Sequence, residues 1–313
     1  MTQTATIKSV VLLGGSGFVG RRVCAALSKA GGFSICVATR ARQQTQALPE
    51  LAGCTVKELN VFDATALHAA VAEHDAVVNL VAILHGTPAA FQRVHVELPR
   101  QLAQACRTED VRQLVHVSAL GVDPNHWAES PSHYLRSKGQ GEAELRRMLH
   151  DTGVTYHVLR PSVIFGEQDK LLNVFARVQK LAPFFPLAGA DTRFQPVWVG
   201  DVAQAVLHCL QAPASTPMLI EACGPDVYTL RQLVQVAGRL AGVQRPVLAL
   251  PDWLARVQAA LMELAPGEPV MTRDNLDSMK VANVASGQLP GLSDLGIRPS
   301  ELESIATKYL QAK

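Results

Sequence analysis

A doubly wound parallel α/β sheet, covered by helices on both faces, is the fold that this 313-residue sequence predicts. Three observations predict it. The first half alternates short apolar blocks with segments of helical periodicity, the pattern of repeated strand–helix–strand units. The first block, Val10-Val11-Leu12-Leu13, runs straight into Gly14-Gly15-Ser16-Gly17-Phe18-Val19-Gly20. That turn opens a segment in which Val23, Ala26 and Leu27 fall on one helical face. Strand, glycine turn and helix together form the Rossmann-type arrangement. Its glycines allow a tight turn, close approach of a pyrophosphate and close packing of helix on strand. The N–H groups at the helix start, with the positive end of the helix dipole behind them, face the phosphates. Gly14, Ser16, Gly17, Phe18, Val19 and Gly20 are therefore candidate dinucleotide ligands.

The remaining elements follow in order. Residues 33–39 read as the second strand, 55–61 as the third, 76–82 as the fourth, 114–118 as the fifth and 155–160 as the sixth. Helices fit between them, for example over 94–106 and 138–150. Beyond Pro161 the alternation loosens. Residues 171–181 read as a helix that Pro183-Phe184-Phe185-Pro186 ends. Residues 195–210 resemble a return to the sheet, with Asp201 as a helix N-cap, and 218–222 read as a further strand. The expected organisation is a dinucleotide-binding domain over 1–165, with 195–225 returning to it. A smaller, discontinuous C-terminal lobe over 166–194 and 226–313 would form a substrate or docking site.

Composition bounds the function classes. Hydrophobic residues make up 48% and charged residues 18%, which suits a soluble globular chain with a real core. A net charge of +2 with no basic run gives no nucleic-acid footprint. The six cysteines (24, 36, 54, 106, 209 and 223) form no C-x-x-C pair, so they read as reduced, mostly buried thiols in a cytoplasmic setting. Met1 to Ser9 leads directly into the first strand, leaving no room for a signal or transit peptide, and no apolar run is long enough for a membrane span.

Two further groups speak to chemistry. The second strand ends Thr39-Arg40-Ala41-Arg42, where an acid would accept from the adenosine ribose of NAD. With no acid in reach, NADP(H) is favoured over NAD(H), Arg40 holding the 2′-phosphate and Arg42 assisting. The competing reading makes both arginines ordinary solvated loop charges. Ser118 ends the fifth strand, at the carboxyl edge where open α/β sheets bind ligands. Sixteen positions later Tyr134-Leu135-Arg136-Ser137-Lys138 sets Tyr134 and Lys138 one turn apart on a helix. An ammonium beside a phenol favours the phenolate, so the pair could pass a proton beside a hydride transfer while Ser118 holds the substrate oxygen.

At these residues the chain resembles the short-chain dehydrogenase/reductase superfamily, in its extended or atypical branch and over nearly its whole length. Gly14, Gly17 and Gly20 match the glycine pattern, and Ser118, Tyr134 and Lys138 the Ser…Tyr-x-x-x-Lys group. The resemblance implies that Arg160-Pro161-Ser162-Val163-Ile164-Phe165-Gly166 lines the nicotinamide, bringing in Pro161 and Ser162. It places Asn60 and Val61 beside the adenine, and Leu80, Val81 and Ala82 under the ribose. His95 stands where the superfamily often has Asn, and Asn60 where Asp is common. Three segments, Phe165-Gly166-Glu167-Gln168-Asp169, residues 195–203 and residues 223–230, resemble the branch of the nucleotide-binding accessory subunit of respiratory complex I and its bacterial relatives. Residues 271–279 resemble a tail segment of those relatives.

That branch implies NADPH at a site serving structure or assembly, and a link to respiratory or ubiquinone metabolism. The alternative is an active NADP-dependent oxidoreductase or sugar-epimerase-like enzyme acting through Ser118, Tyr134 and Lys138 on a small molecule the sequence does not identify. The remaining histidines, His85, His116, His126 and His133 among them, share no metal-ligand spacing and read as structural or solvated. Trp253, Val257, Leu261 and Leu264 form one helical stripe. Such a stripe is ordinarily core packing. If exposed, it becomes a docking surface for a membrane or a respiratory complex, which would make the chain peripheral at the inner membrane.

Overall fold

The computed structural model describes residues 6–40, 48, 50–212, 218–264, 267 and 269–311. Strands β1 (Ser9–Leu13), β2 (Ser34–Thr39), β3 (Cys54–Glu58), β4 (Ala76–Asn79), β5 (Gln113–Val117) and β6 (Thr155–Pro161) alternate with helices α1 (Phe18–Ala30), α2 (Ala64–Ala72), α3 (Pro88–Gln92), α4 (Leu98–Thr108) and α5 (His133–Leu149). Then come β7 (Ile164–Phe165), α6 (Leu172–Leu181), β8 (Phe185–Leu187), β9 (Arg193–Phe194), β10 (Val197–Trp198) and α7 (Val199–Gln211). The chain closes with β11 (Met218–Ala222), β12 (Tyr228–Thr229), α8 (Leu230–Leu240), β13 (Val247–Ala249), α9 (Asp252–Leu264), α10 (Arg273–Ser278) and α11 (Leu302–Leu310).

Seven strands build one parallel sheet in the order β11-β6-β5-β4-β1-β2-β3. The order reverses between β1 and β4, and the crevice beyond the carboxyl ends of these two strands is where such sheets bind ligands. The strands read as continuous apolar runs because both faces are covered. Val10 and Leu12 face a core with α1 and α7, whereas Val11 and Leu13 face a second core with α2, α4 and α5. A third core gathers α6, α8 and α11 around Phe165, Phe175 and Leu233. Around it lie three two-stranded ladders, β7 with β10, β8 with β13 and β9 with β12. Residues 218–222 join the main sheet beside β6, as read from the sequence.

Three local expectations change. Strand β3 stops at Glu58, so Asn60 and Val61 lie just past it, where Asn60 Oδ1 accepts from the Phe62 N–H. Trp198 rather than Asp201 caps α7. The Asp201 carboxylate turns to the Ser300 N–H and hydroxyl, fastening residue 300 to the helix. The helix expected over 94–106 is interrupted by a π-helical turn at Arg93–Glu97. Proline supplies the cause: Pro99 has no N–H for the His95 carbonyl and its ring crowds that oxygen, so the helix widens by one residue, Leu98 N–H bonding to Arg93 O.

The stripe on α9 is not core. Trp253, Val257, Leu261 and Leu264 are 68%, 50%, 64% and 83% exposed. The helix packs through small residues instead, Ala255 and Ala259 meeting Ala188 and Leu276. Leu181, Phe184 and Leu248 are exposed as well, and they belong to the neighbouring α6 end and the β8–β13 ladder.

Candidate functional site

The glycine turn sits at the switch point of the sheet. Gly14 has φ +82° and lies under the next strand's exit, where a Cβ would come 3.2 Å from the Leu80 carbonyl carbon and 3.3 Å from Val81 N. Gly20 is the tightest of the set, since a Cβ there would stand 2.4 Å from Gly14 O and Gly15 Cα. This close contact pulls α1 onto β1. Gly17 is exposed at the N-cap of α1, and a Cβ there would meet only Gly14 O, at 3.3 Å. The exposed start of α1 therefore presents backbone donors to the crevice, with Phe18 and Val19 half-buried beside them. Ser16 Oγ and Thr39 Oγ1, 3.2 Å apart, tie the turn to the end of β2. On the facing side Leu80 N–H bonds to Leu13 O, and Asn79 Oδ1 accepts from Val81 N–H, so Leu80, Val81 and Ala82 run alongside the glycines.

At the adenosine end Arg40 and Asn60 line a cavity of about 380 Å³ together with Glu58, Leu59, Phe62 and Arg93. Arg93 was not anticipated from the sequence. The π-helical turn carries it, and its guanidinium rests over the Phe62 ring at 4.4 Å. Arg42 lies outside the described residues.

Ser118, Tyr134 and Lys138 come together at the other end. Ser118 follows β5 and is 5% exposed, with its N–H on Leu159 O and its hydroxyl among the buried polar atoms that have no hydrogen-bond partner. A buried hydroxyl left unpaired is costly, so Ser118 carries an unmet hydrogen bond at the end of β5. Lys138 is buried and donates from Nζ to Val117 O at 2.9 Å, one residue before Ser118. Burial brings its ammonium down to about 8, against a smaller opposing influence from the Glu142 carboxylate one turn on. Glu142 in turn holds Arg160 in a buried bidentate pair, with contacts of 2.6–3.1 Å. Tyr134 is half-buried and its phenol is pushed up to about 12 by burial. That direction is opposite to the activation expected from a neighbouring ammonium.

His95 occupies the space behind the tyrosine. Its ring lies edge-on to Tyr134, with centroids 5.5 Å apart, and beside Phe91. Nε2 accepts from Ile83 N–H, which puts the ring proton on Nδ1, facing Ser137 Oγ at 2.9 Å; Ser137 in turn donates to Tyr134 O. Burial, then the Lys138 charge, hold His95 neutral, with its pKa near 2. His116 is depressed for the same reasons. Gly141 lets α5 close on this turn, since a Cβ would collide with His95 O.

The C-terminal segment covers this end of the crevice, a role the sequence did not disclose. Asp274 accepts from the His133 and Tyr134 N–H groups at 2.6 and 3.1 Å, capping the first turn of α5. Ser278 bonds Ser132, and Asn275 reaches Leu84 O. Val281 packs with Ala119, Val122, Leu135 and Tyr134. Asn283 Oδ1 accepts from the Ser162 hydroxyl at 2.6 Å and from Val163 N–H at 2.9 Å, fixing the segment that follows Pro161.

The family model for NAD(P)H-binding proteins matches residues 14–213, from the glycine turn past the end of α7. The chain belongs to this NAD(P)H-binding family. It is also related in sequence to mitochondrial NADH dehydrogenase subunits. It is 30% identical over 306 residues to the mitochondrial NADH dehydrogenase [ubiquinone] 1 alpha subcomplex subunit 9 of Mus musculus, covering 96% of this chain and 79% of that protein. It is 25% identical to the mitochondrial NADH-ubiquinone oxidoreductase 40 kDa subunit of Neurospora crassa, covering 97% of this chain and 79% of that protein. Among solved structures, the crystal structure of gox2253 superposes with a TM-score of 0.74 at 20% identity, covering 97% of this chain and 98% of that one. At that identity the likeness concerns the fold.

For a member of this family the crevice fits the dinucleotide. Its glycine cradle has no room for side chains at Gly14 and Gly20, and the cavity at the adenosine end carries two guanidiniums.

Proposed function

We propose that the chain binds NADPH and serves as an accessory protein of a respiratory NADH dehydrogenase at the inner membrane, its dinucleotide acting as a bound structural group. The observation that carries this reading is the packing of the C-terminal segment against the chemistry end. Asp274, Asn275, Ser278, Val281 and Asn283 pack around the helix of Tyr134 and around the segment 161–163, the places where a substrate would sit. The tyrosine they enclose is held further from its phenolate. The preference for NADPH is supported by Arg40 and Arg93 lining one cavity, two cations suited to a 2′-phosphate, although Glu58 at the end of β3 lines the same cavity and is an acid not anticipated there from the sequence. Docking is supported by the exposed face of α9 and by relatives named as NADH dehydrogenase subunits. Among the described residues no helix is long and apolar enough to cross a membrane, so attachment would run through such a face.

When bound, the nicotinamide supplies a hydride acceptor or donor. The alternative reading, an active oxidoreductase or epimerase, is favoured by one observation, the unpartnered Ser118 hydroxyl next to Lys138 and Tyr134. In that case Ser118 would orient a substrate oxygen, Tyr134 would hold the proton at its phenol oxygen, and Lys138 would be the cation beside it.

Co-purification from membranes tests the assignment. The tagged chain should bring down respiratory NADH dehydrogenase, and Trp253→Asp with Leu261→Asp should abolish this. Recovery on lipid vesicles alone, with no dehydrogenase, would overturn the docking partner. Recovery only in the soluble fraction would overturn docking altogether.

A further inference from the structure

The turn that follows β7 leans on the start of α1. Gly166 is buried between Phe18 and Val199, and a Cβ there would stand 2.8 Å from Val199 Cγ1 and 3.2 Å from the Phe18 ring. Glu167 reaches Arg22, one helical turn beyond Phe18 on the same face, at 3.5 Å. One carboxylate holds this turn together. Asp169 Oδ2 accepts from Gly166 N–H at 3.0 Å and from the Tyr309 hydroxyl at 2.9 Å. Its Oδ1 accepts from Leu171 and Asn173 N–H at 2.9 and 3.2 Å. Asp169 and Tyr309 are both buried, and a buried carboxylate is tolerated only when donors surround it. Three of these four donors lie within 166–173. The fourth, Tyr309, comes from α11 in the core of the smaller lobe, where it packs with Phe165 and Leu172. Burial, then the Asp169 charge, push its phenol well up, so it stays a donor.

We propose that Tyr309 is a positioning residue for the dinucleotide: through Asp169 it keeps the 166–169 turn seated on Phe18, and this sets how slowly NADPH leaves. This role rests on the reading of the crevice as an NADPH site. No side chain caps the first turn of α1, so its N–H groups stay available for the phosphates. Their order then depends on neighbours. Gly17 N–H bonds to Gly14 O on one side, and Gly166 backs the Phe18 ring on the other. Donors fixed in place before the ligand arrives lose less freedom when it binds, and the gain shows mainly as slower release. The smaller lobe thus reaches the phosphate end of the crevice through two side chains, Tyr309 and Asp169.

The test compares the native protein with Tyr309→Phe, which keeps the ring and removes the hydroxyl. In stopped-flow displacement, NADPH should leave Tyr309→Phe about 10-fold faster, the scale of one lost hydrogen bond to a charged group, with association nearly unchanged. Hydrogen exchange without nucleotide should speed up at the Gly166, Leu171 and Asn173 amides and stay native in β1. Glu167→Gln, an exposed change, should speed release by about twofold at low salt and leave it native at high salt. Native release from Tyr309→Phe would overturn the proposal. So would faster exchange throughout the fold, β1 included, which is the signature of a general brace. Should Tyr309→Phe lose its native circular dichroism, Glu167→Gln decides, and native release at low salt overturns the role of the turn. A native protein that binds no NADPH would overturn the nucleotide reading and this role with it, whereas native binding with unchanged release overturns the role alone.

Discussion

The two ends of the crevice are built in opposite ways. The phosphate and adenosine end is assembled from residues close in sequence, Gly14 to Gly20, Arg40 and Asn60, and it remains open, with a cavity of about 380 Å³. The end that holds Ser118, Tyr134 and Lys138 is assembled from β5, α5 and a segment 140 residues further on, which braces the start of α5. One end receives a ligand by exposing main-chain donors and two guanidiniums. The other surrounds its reactive groups with packing, pushing the Tyr134 phenol up to about 12 while bringing the Lys138 ammonium down to about 8. On the proposed reading, the contrast teaches that retaining a full set of catalytic residue types differs from using them in turnover.

The largest effect expected is at the open end. Gly17→Asp puts a carboxylate where the pyrophosphate charge would lie, at an exposed position where a Cβ meets one backbone oxygen, Gly14 O, at 3.3 Å. NADPH binding measured by calorimetry should fall at least ~100-fold, on the order of 3 kcal/mol, with native circular dichroism retained. Binding that survives would break the assignment of the glycine turn. Next comes Arg40→Ala. Removing one charge-assisted bond of about 1.5–3 kcal/mol should weaken NADPH roughly 10- to 100-fold and leave NADH unchanged. Equal or tighter NADH binding by the native protein would overturn the nucleotide preference.

A smaller effect is expected at the chemistry end. Asp274→Ala removes the carboxylate that supplements the Ser132 N-cap of α5 and should lower stability in urea by about 1–2 kcal/mol, with little change in NADPH affinity. A large loss of affinity would show the two ends to be one unit. The last effect is on pH dependence and is seen only below neutral pH. His95 has its folded-state pKa pushed down to about 2 from an ordinary 6.5. Its contribution to stability is complete above pH 6.5 and is lost as pH falls toward 2, because the unfolded chain takes up the proton first. His95→Asn should therefore remove about 1.4 kcal/mol per pH unit from the slope of stability between pH 6 and 4. An unchanged slope would mean that His95 is not held neutral in the fold.

The fold was legible from the sequence because its signals are local. Apolar blocks over 10–13 and 76–79 must be buried on both faces, and Gly14 and Gly20 have backbone geometry that no other residue fits as well. Strand ends drifted by up to three residues, since burial continues past the last ladder bond at Leu59 and Val61. The π-helical turn had one signal, Pro99 within a helical pattern, and reading it would have brought Arg93 to the adenosine cavity. Asp274 could not be reached from sequence pattern, because a carboxylate that caps a helix 140 residues earlier leaves no local periodicity. The α9 stripe was misleading for a physical reason: an apolar face looks the same in sequence whether the fold or a partner covers it. Its smaller opposite face, Ala255 and Ala259, is what the fold uses.

The central claim is that the dinucleotide matters here as a bound group. A strain lacking the chain, complemented with Gly17→Asp or with Tyr134→Phe, tests it through the content and activity of assembled respiratory NADH dehydrogenase. The account predicts that Tyr134→Phe restores both and Gly17→Asp restores neither; equal failure of the two variants would contradict it and point to turnover.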